Sequence, residues 1–292
     1  TIRCPLSAAV PARCAAHGAQ PARSVAGCRR ASGGRCLLVQ EGALVSGTLD
    51  TASPLQRLVM RITELQEEVG ALDAIIVSGD LSDDGSEKSY ELFKSILSPL
   101  NLPIFAVPGN HDQRAPFRNA FSKSGYLPKS GKLNWHQALE PLQLIGLDTL
   151  IEGEGGGALD SETLDFLDAQ LRKMQGSPVI VMFHHPPFNT GITFMDSIGL
   201  NSGGERLQEI LTSFSGDLIV VCGHIHRNIS TQIGGHAVMT APSVCSSFLY
   251  NIHHDAPVGF LKQEGGMLLH RWHEGFKSIR IEATRGDGPF AF

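Results

Sequence analysis

Residues 218–226 read LIVVCGHIH, an apolar run followed by a glycine and two histidines one residue apart. An uninterrupted apolar run of this length marks a strand buried on both faces, as in a parallel sheet covered by helices. The glycine ends the strand and leaves the imidazoles at its carboxyl end. Residues 75–81 (IIVSGDL), 104–112 (IFAVPGNHD) and 179–187 (VIVMFHHPP) repeat the arrangement. In open α/β sheets, ligands bind in the crevice outside the carboxyl ends of the strands. The four segments therefore bring Asp80, Asn110, His184, His224 and His226 to one rim.

The residues between these strands have helical spacing. Residues 55–69 (LQRLVMRITELQEEV) carry one apolar face. Residues 86–100 predict a second helix with Ser86 as its cap. Residues 115–123 predict a short helix, and 161–174 a longer one opened by a capping-box-like Ser161-Glu162. Residues 204–214 predict another. Residues 142–149 (LQLIGLDT) read as a further strand. Residues 187–203 are rich in Gly, Asn and Thr and read as a loop that walls or covers a substrate. Beyond His226, clusters of β-formers separated by glycine turns predict an antiparallel set. The sum is an α/β fold with two sheets, one mostly parallel and one mixed, and helices outside.

Bulk properties narrow the function. The net charge is −5 and no Lys/Arg-rich block occurs, which argues against a nucleic-acid polymer as partner. No apolar stretch approaches the ~18 residues that span a membrane. Cys222 and Cys245 lie in apolar runs and read as reduced core residues, so a cytoplasmic location is expected. The first forty residues differ from the rest. They hold six Arg and four of the six cysteines (Cys4, Cys14, Cys28, Cys36), but no Lys, Asp or Glu. Three readings compete: an organelle transit peptide, a small disulfide or metal cluster, and the product of a GC-rich coding segment read out of frame. No secretory leader is expected, since no apolar core segment is present.

Each candidate residue also has a plain reading. A Gly-Asp after a strand is commonly a turn, GNHD can be an Asx turn, and a histidine pair before two prolines can end a strand. Together they form a set of carboxylate, amide and imidazole groups without cysteine, which suits Zn, Mn, Fe or Co.

The segments GD (79–80), GNHD (109–112), HHPP (184–187) and GHIH (223–226) resemble, in order and spacing, the calcineurin-like metallophosphoesterases. The stretch 188–207 and the APSV segment (241–244) are similar to the branch that hydrolyses cyclic nucleotides and glycerophosphodiesters. The resemblance implies a four-layer α/β/β/α sandwich. It separates residues 1–37, an atypical segment, from a phosphoesterase domain at 38–292. It implies two divalent ions, with Asp80 bridging them. Asn110, His184 and His224 complete one site, and His226 serves the other. His111 is implied to contact the phosphate and protonate the leaving alkoxide, with Asp112 orienting it. Asn110, His111 and His185 are the expected substrate contacts, although His185 can equally lie behind the ligands.

The family opens with a strand ending in Asp-x-His, which supplies two ligands to the ion that His226 serves. Alignment of residues 38–50 puts those positions at Arg35 and Leu37, and neither can replace the ligands. The resemblance thus implies hydrolysis of a small phosphodiester by water activated at a dinuclear centre, impaired here, with the Asp80/Asn110/His184/His224 site better occupied. Two alternatives stay open: a binding or scaffold protein that has lost turnover, and a phosphomonoesterase of the same superfamily. The stretch His253-His254-Asp255 is a further candidate substrate wall, and the C-terminal β region offers a surface for a homo-oligomer.

Overall fold

A computed structural model describes the backbone of residues 24–27, then Val39, Leu44, Val45, residues 47–253 and residues 255–292. Along the chain the elements are β1 (Ser24–Gly27), α1 (Ala52–Val69), β2 (Leu72–Val77), α2 (Glu87–Leu97), β3 (Ile104–Ala106), α3 (Arg114–Ala120), β4 (Trp135–Leu139) and β5 (Leu142–Gly146). They continue with β6 (Gly157–Ala158), α4 (Ser161–Lys173), β7 (Val179–Met182), α5 (Thr193–Ser197), β8 (Leu200–Ser202), α6 (Gly204–Thr212) and β9 (Leu218–Cys222). The last are β10 (Ser230–Ile233), β11 (His236–Thr240), β12 (Ser247–Phe248), β13 (Phe260–Leu261), β14 (Met267–Trp272) and β15 (Phe276–Ile281).

Two sheets carry the fold. One has the order β15-β14-β1-β2-β3 and the other β10-β11-β9-β7-β5-β4. Strands β5, β7 and β9 pair in parallel, as do β2 and β3. Side chains of adjacent strand residues go to different cores. Ile180 and Met182 of β7, with Ile219 and Val221 of β9, join the core that also holds β2, α1 and α2. Val179, Val181, Leu218 and Val220 join a second core under α4 and α6. The result is the expected layering of helices, sheet, sheet and helices. The buried face of α1 (Leu55, Leu58, Ile62, Leu65) follows the 3.6-residue period. Each fully buried Leu or Ile there contributes about 1.5–3 kcal/mol relative to exposure.

Several local expectations are adjusted. Helix α4 is capped by Asp160, whose carboxylate accepts from Thr163 N at 2.9 Å, not by Ser161. The stretch expected as a loop at 187–203 contains α5 and β8. Asp196 folds back to accept from Thr190 N, and Met195 is buried beside Ile225 and Phe248. The C-terminal strands are antiparallel except that β11 runs parallel to β9. Strand β1 pairs parallel with β2 and antiparallel with β14, which puts part of the atypical N-terminal segment inside the first sheet. Arg35, Leu37 and the four N-terminal cysteines lie outside the described residues.

Candidate metal centre

Strands β2 and β3 of one sheet and β7 and β9 of the other end on the same side of the molecule. The loops that follow them hold the candidate ligands. The chain turns sharply at each. Asp80, His224 and His226 have φ of 55°, 71° and 57°, and they are three of the five non-glycine residues with positive φ among those described. Such backbone is unfavourable for residues with a Cβ and persists where surrounding packing dictates it. Two glycines allow the loops to close. A Cβ on Gly79 would overlap His184 Nδ1, and one on Gly109 would overlap the Asp80 carboxylate.

The donor atoms converge on His184 Nε2. Its other nitrogen, Nδ1, donates to Ser78 O at 2.7 Å, so Nε2 of the neutral ring carries a lone pair. That lone pair lies 3.1 Å from Asn110 Oδ1, 3.3 Å from His224 Nδ1 and 3.6 Å from Asp80 Oδ2. Asp80 is fully buried. Its Oδ1 accepts from His111 N at 3.0 Å, while Oδ2 has no hydrogen-bond partner among the described residues. Burial pushes its carboxyl well above the usual range; the His111 imidazole opposes the shift and Asp112 adds to it.

A buried carboxylate oxygen without a donor, facing imidazole lone pairs, calls for a cation. Ligand atoms about 2.1 Å from a common tetrahedral or octahedral ion lie about 3.0–3.4 Å apart. The three separations measured from His184 Nε2 match that range to within a few tenths of an ångström, and the residue types fit a divalent metal. His185 also has nitrogens close to those of His184 and His224. Both are engaged: Nε2 donates to Gly155 O at 3.2 Å, and Nδ1 accepts from Thr149 Oγ1 at 2.9 Å. The ring is fully buried and ties down the loop 149–157.

His226 is also buried on the same rim. Its Nδ1 is 3.1 Å from Ser246 Oγ and its ring packs on Phe248 with centroids 4.7 Å apart. Burial holds its basicity well below the usual value, and His224, His184 and His111 act in the same direction.

His111 differs from the expectation. Asp112 does not orient it. The Asp112 carboxylate is buried and accepts from Leu81 N at 3.1 Å, Gly109 N at 2.8 Å and Tyr90 Oη at 2.9 Å. It ties the loop after β2 to the loop after β3. The carboxylate beside His111 Nδ1 is that of Asp83, at 3.5 Å. Burial opposes protonation of His111, but Asp80 and Asp83 outweigh it and push the imidazole up to about 9. Sequence reading missed Asp83, although its place three residues after Asp80 in the same turn was a usable signal. Arg114 was missed as well. It makes a bidentate bond to buried Asp148, with Nε to Oδ2 at 2.7 Å, and fixes α3 to the end of β5.

Asn110 and His111 open into a cleft of about 620 Å³ bordered by Asp83, Asp84, Glu152 and Glu154. Ile192, Phe194 and His253, from the two proposed walls, border a further pocket of about 270 Å³ that Phe248 also lines. His254 lies outside the described residues.

Residues 50–228 match the model of the family described as calcineurin-like phosphoesterase. The chain belongs to that family. The matched span of this phosphoesterase contains every candidate ligand, and all of it follows the compositionally distinct first forty residues. The phosphoesterase is 30% identical over 254 residues to a protein of Arcobacter nitrofigilis named probable glycerophosphodiester phosphodiesterase GpdQ, covering 86% of this chain and 92% of that one. It is 32% identical over 213 residues to the 3′,5′-cyclic adenosine monophosphate phosphodiesterase CpdA of Pseudomonas aeruginosa, covering 73% and 74%. Its fold is similar to that of a purple acid phosphatase from yellow lupin, with a TM-score of 0.62 at 14% identity, over 87% of this chain and 50% of that one. No helix among the described residues is long and apolar enough to cross a membrane.

Proposed function

We propose that this phosphoesterase is a metal-dependent phosphodiesterase acting on a small diester, either a 3′,5′-cyclic nucleotide or a glycerophosphodiester. One observation carries the reading: Asn110 Oδ1, His224 Nδ1 and Asp80 Oδ2 each lie within 3.6 Å of His184 Nε2, beside an imidazole that has its own carboxylate. The names of the curated relatives support the choice of diester.

Asp80, Asn110, His184 and His224 would hold one divalent ion, and Asp80 with His226 would contribute to a second. When bound, such ions polarise a phosphoryl oxygen and make water a competent nucleophile near neutral pH. Asn110 uses its carbonyl oxygen toward the ion and presents its amide N–H groups to the phosphate. His111 donates its proton to the oxygen of the departing alcohol. Asp83 keeps that imidazole charged and oriented, and Asp112 holds the two loops that carry Asp80 and His111 in register.

No Asp-x-His precedes Asp80 in the sequence. The His226 site is therefore the weaker of the two, and turnover falls below that of a relative with a complete ligand set. The same absence favours the second reading, a phosphoesterase fold kept for binding without turnover. Hydrolysis of bis(p-nitrophenyl) phosphate and of cyclic AMP, measured after chelation and again after Mn²⁺ or Co²⁺ is restored, separates the two. The phosphodiesterase reading expects metal-dependent turnover that Asp80→Asn removes. A folded, metal-loaded protein that cleaves neither diester supports the binding role.

A further inference from the structure

A second opening, of about 320 Å³, leads off the rim at His226. Its border includes Arg227, Arg280, Tyr250, Gln263 and Ser247, and no Asp or Glu among the described residues. Arg227 Nε donates to Phe248 O, which fixes the guanidinium and leaves its terminal nitrogens for the opening. Arg227 has no carboxylate within ion-pair distance among the described residues. Arg280 donates to Gly265 O at 3.3 Å and has one exposed partner, Glu282, at 3.1 Å. Ser247 Oγ donates to Gln263 Oε1 at 3.3 Å, which turns the Gln263 amide nitrogen into an available donor. Two forked cations and neutral donors around one cavity form a site for an oxyanion.

The opening over His111 has the opposite character. Asp83, Asp84, Glu152 and Glu154 border it, and they repel an anion. The departing alcohol meets His111 and therefore occupies the acidic cleft. An anionic group on the substrate is accommodated only on the other ester substituent, the one that stays on phosphorus.

We propose that the Arg227/Arg280 pocket is an anion subsite that takes a second phosphate carried by the retained ester group of the diester. The proposal rests on the phosphodiesterase reading. It turns a general diester site into one that prefers doubly phosphorylated substrates.

Two chromogenic esters test it: thymidine 5′-(p-nitrophenyl phosphate) and the same compound carrying a 3′-phosphate. They share the leaving group and differ only in the second anion. The wild-type protein should favour the 3′-phosphorylated ester in kcat/KM. Arg280→Gln should lower the ratio about tenfold, the scale of one hydrogen bond to a charged group. Arg280→Lys should recover part of it, and Arg227→Gln should lower it as well. A ratio unchanged in both glutamine variants overturns the proposal. Calorimetry on the metal-free protein gives a readout without turnover. Thymidine 3′,5′-bisphosphate should bind more tightly than thymidine 5′-phosphate, and Arg280→Gln should erase the difference. If no diester is hydrolysed but this difference is present and lost in the variant, the anion site stands and the phosphodiesterase reading fails. Equal binding of the two nucleotides overturns the anion site itself.

Discussion

The Asp83 carboxylate lies 3.5 Å from His111 Nδ1, while Asp112, adjacent to that histidine in sequence, points away from it. Chain adjacency and spatial partnership are thus exchanged within one loop. Residues 111 and 112 leave the backbone in different directions, one toward the cleft and one toward the N–H groups of Leu81 and Gly109. The two aspartates therefore have separable roles.

Asp83→Asn should leave the fold intact and slow hydrolysis of cyclic AMP about 10-fold or more, the usual effect of removing the partner of a working imidazole. The loss on bis(p-nitrophenyl) phosphate should be smaller, because p-nitrophenolate departs without a proton. Steady-state kinetics on both substrates check this.

Asp112→Ala should act on stability. It strands the N–H of Gly109, the N–H of Leu81 and the hydroxyl of Tyr90 in the interior. Each unsatisfied buried group costs about 1–3 kcal/mol. Urea unfolding should show a loss of at least about 3 kcal/mol, well beyond that of Asp83→Asn.

Gly109→Ala should remove metal binding. The new methyl group and the Asp80 carboxylate compete for one volume, so the loops after β2 and β3 must separate. Metal analysis after gel filtration with Zn²⁺ should find a marked loss of bound metal relative to wild type.

Arg114→Gln should destabilise the protein by about 3 kcal/mol, because it leaves the buried Asp148 without its cation. Thermal unfolding measures the loss. Retained metal binding in the folded fraction would place Arg114 in support of α3 and outside the ligand set.

The strands and their chemistry were legible because buried parallel strands must be apolar throughout, so polar residues at their ends stand out. IIVSGDL and LIVVCGHIH are read without knowledge of neighbours. The brace role of His185 was not legible, since its partners Thr149 and Gly155 come from a loop thirty or more residues away. The helical turn α5 was hidden in a Gly/Asn/Thr-rich stretch because Asp196, a local side-chain bond to Thr190, supplies what propensity does not. The cap at Asp160 was displaced by one residue because Ser161 is an equally good capping type. The first strand was least legible: the family likeness resumes only near Leu38, yet the backbone at Ser24–Gly27 takes the central place beside β2.

Anomalous scattering at the zinc edge, from crystals grown with Zn²⁺, addresses the ligand set itself. The account predicts a peak about 2.0–2.2 Å from Asp80 Oδ2, Asn110 Oδ1, His184 Nε2 and His224 Nδ1, absent in Asp80→Asn. A protein that hydrolyses diesters while its metal peak lies away from these four atoms would contradict it.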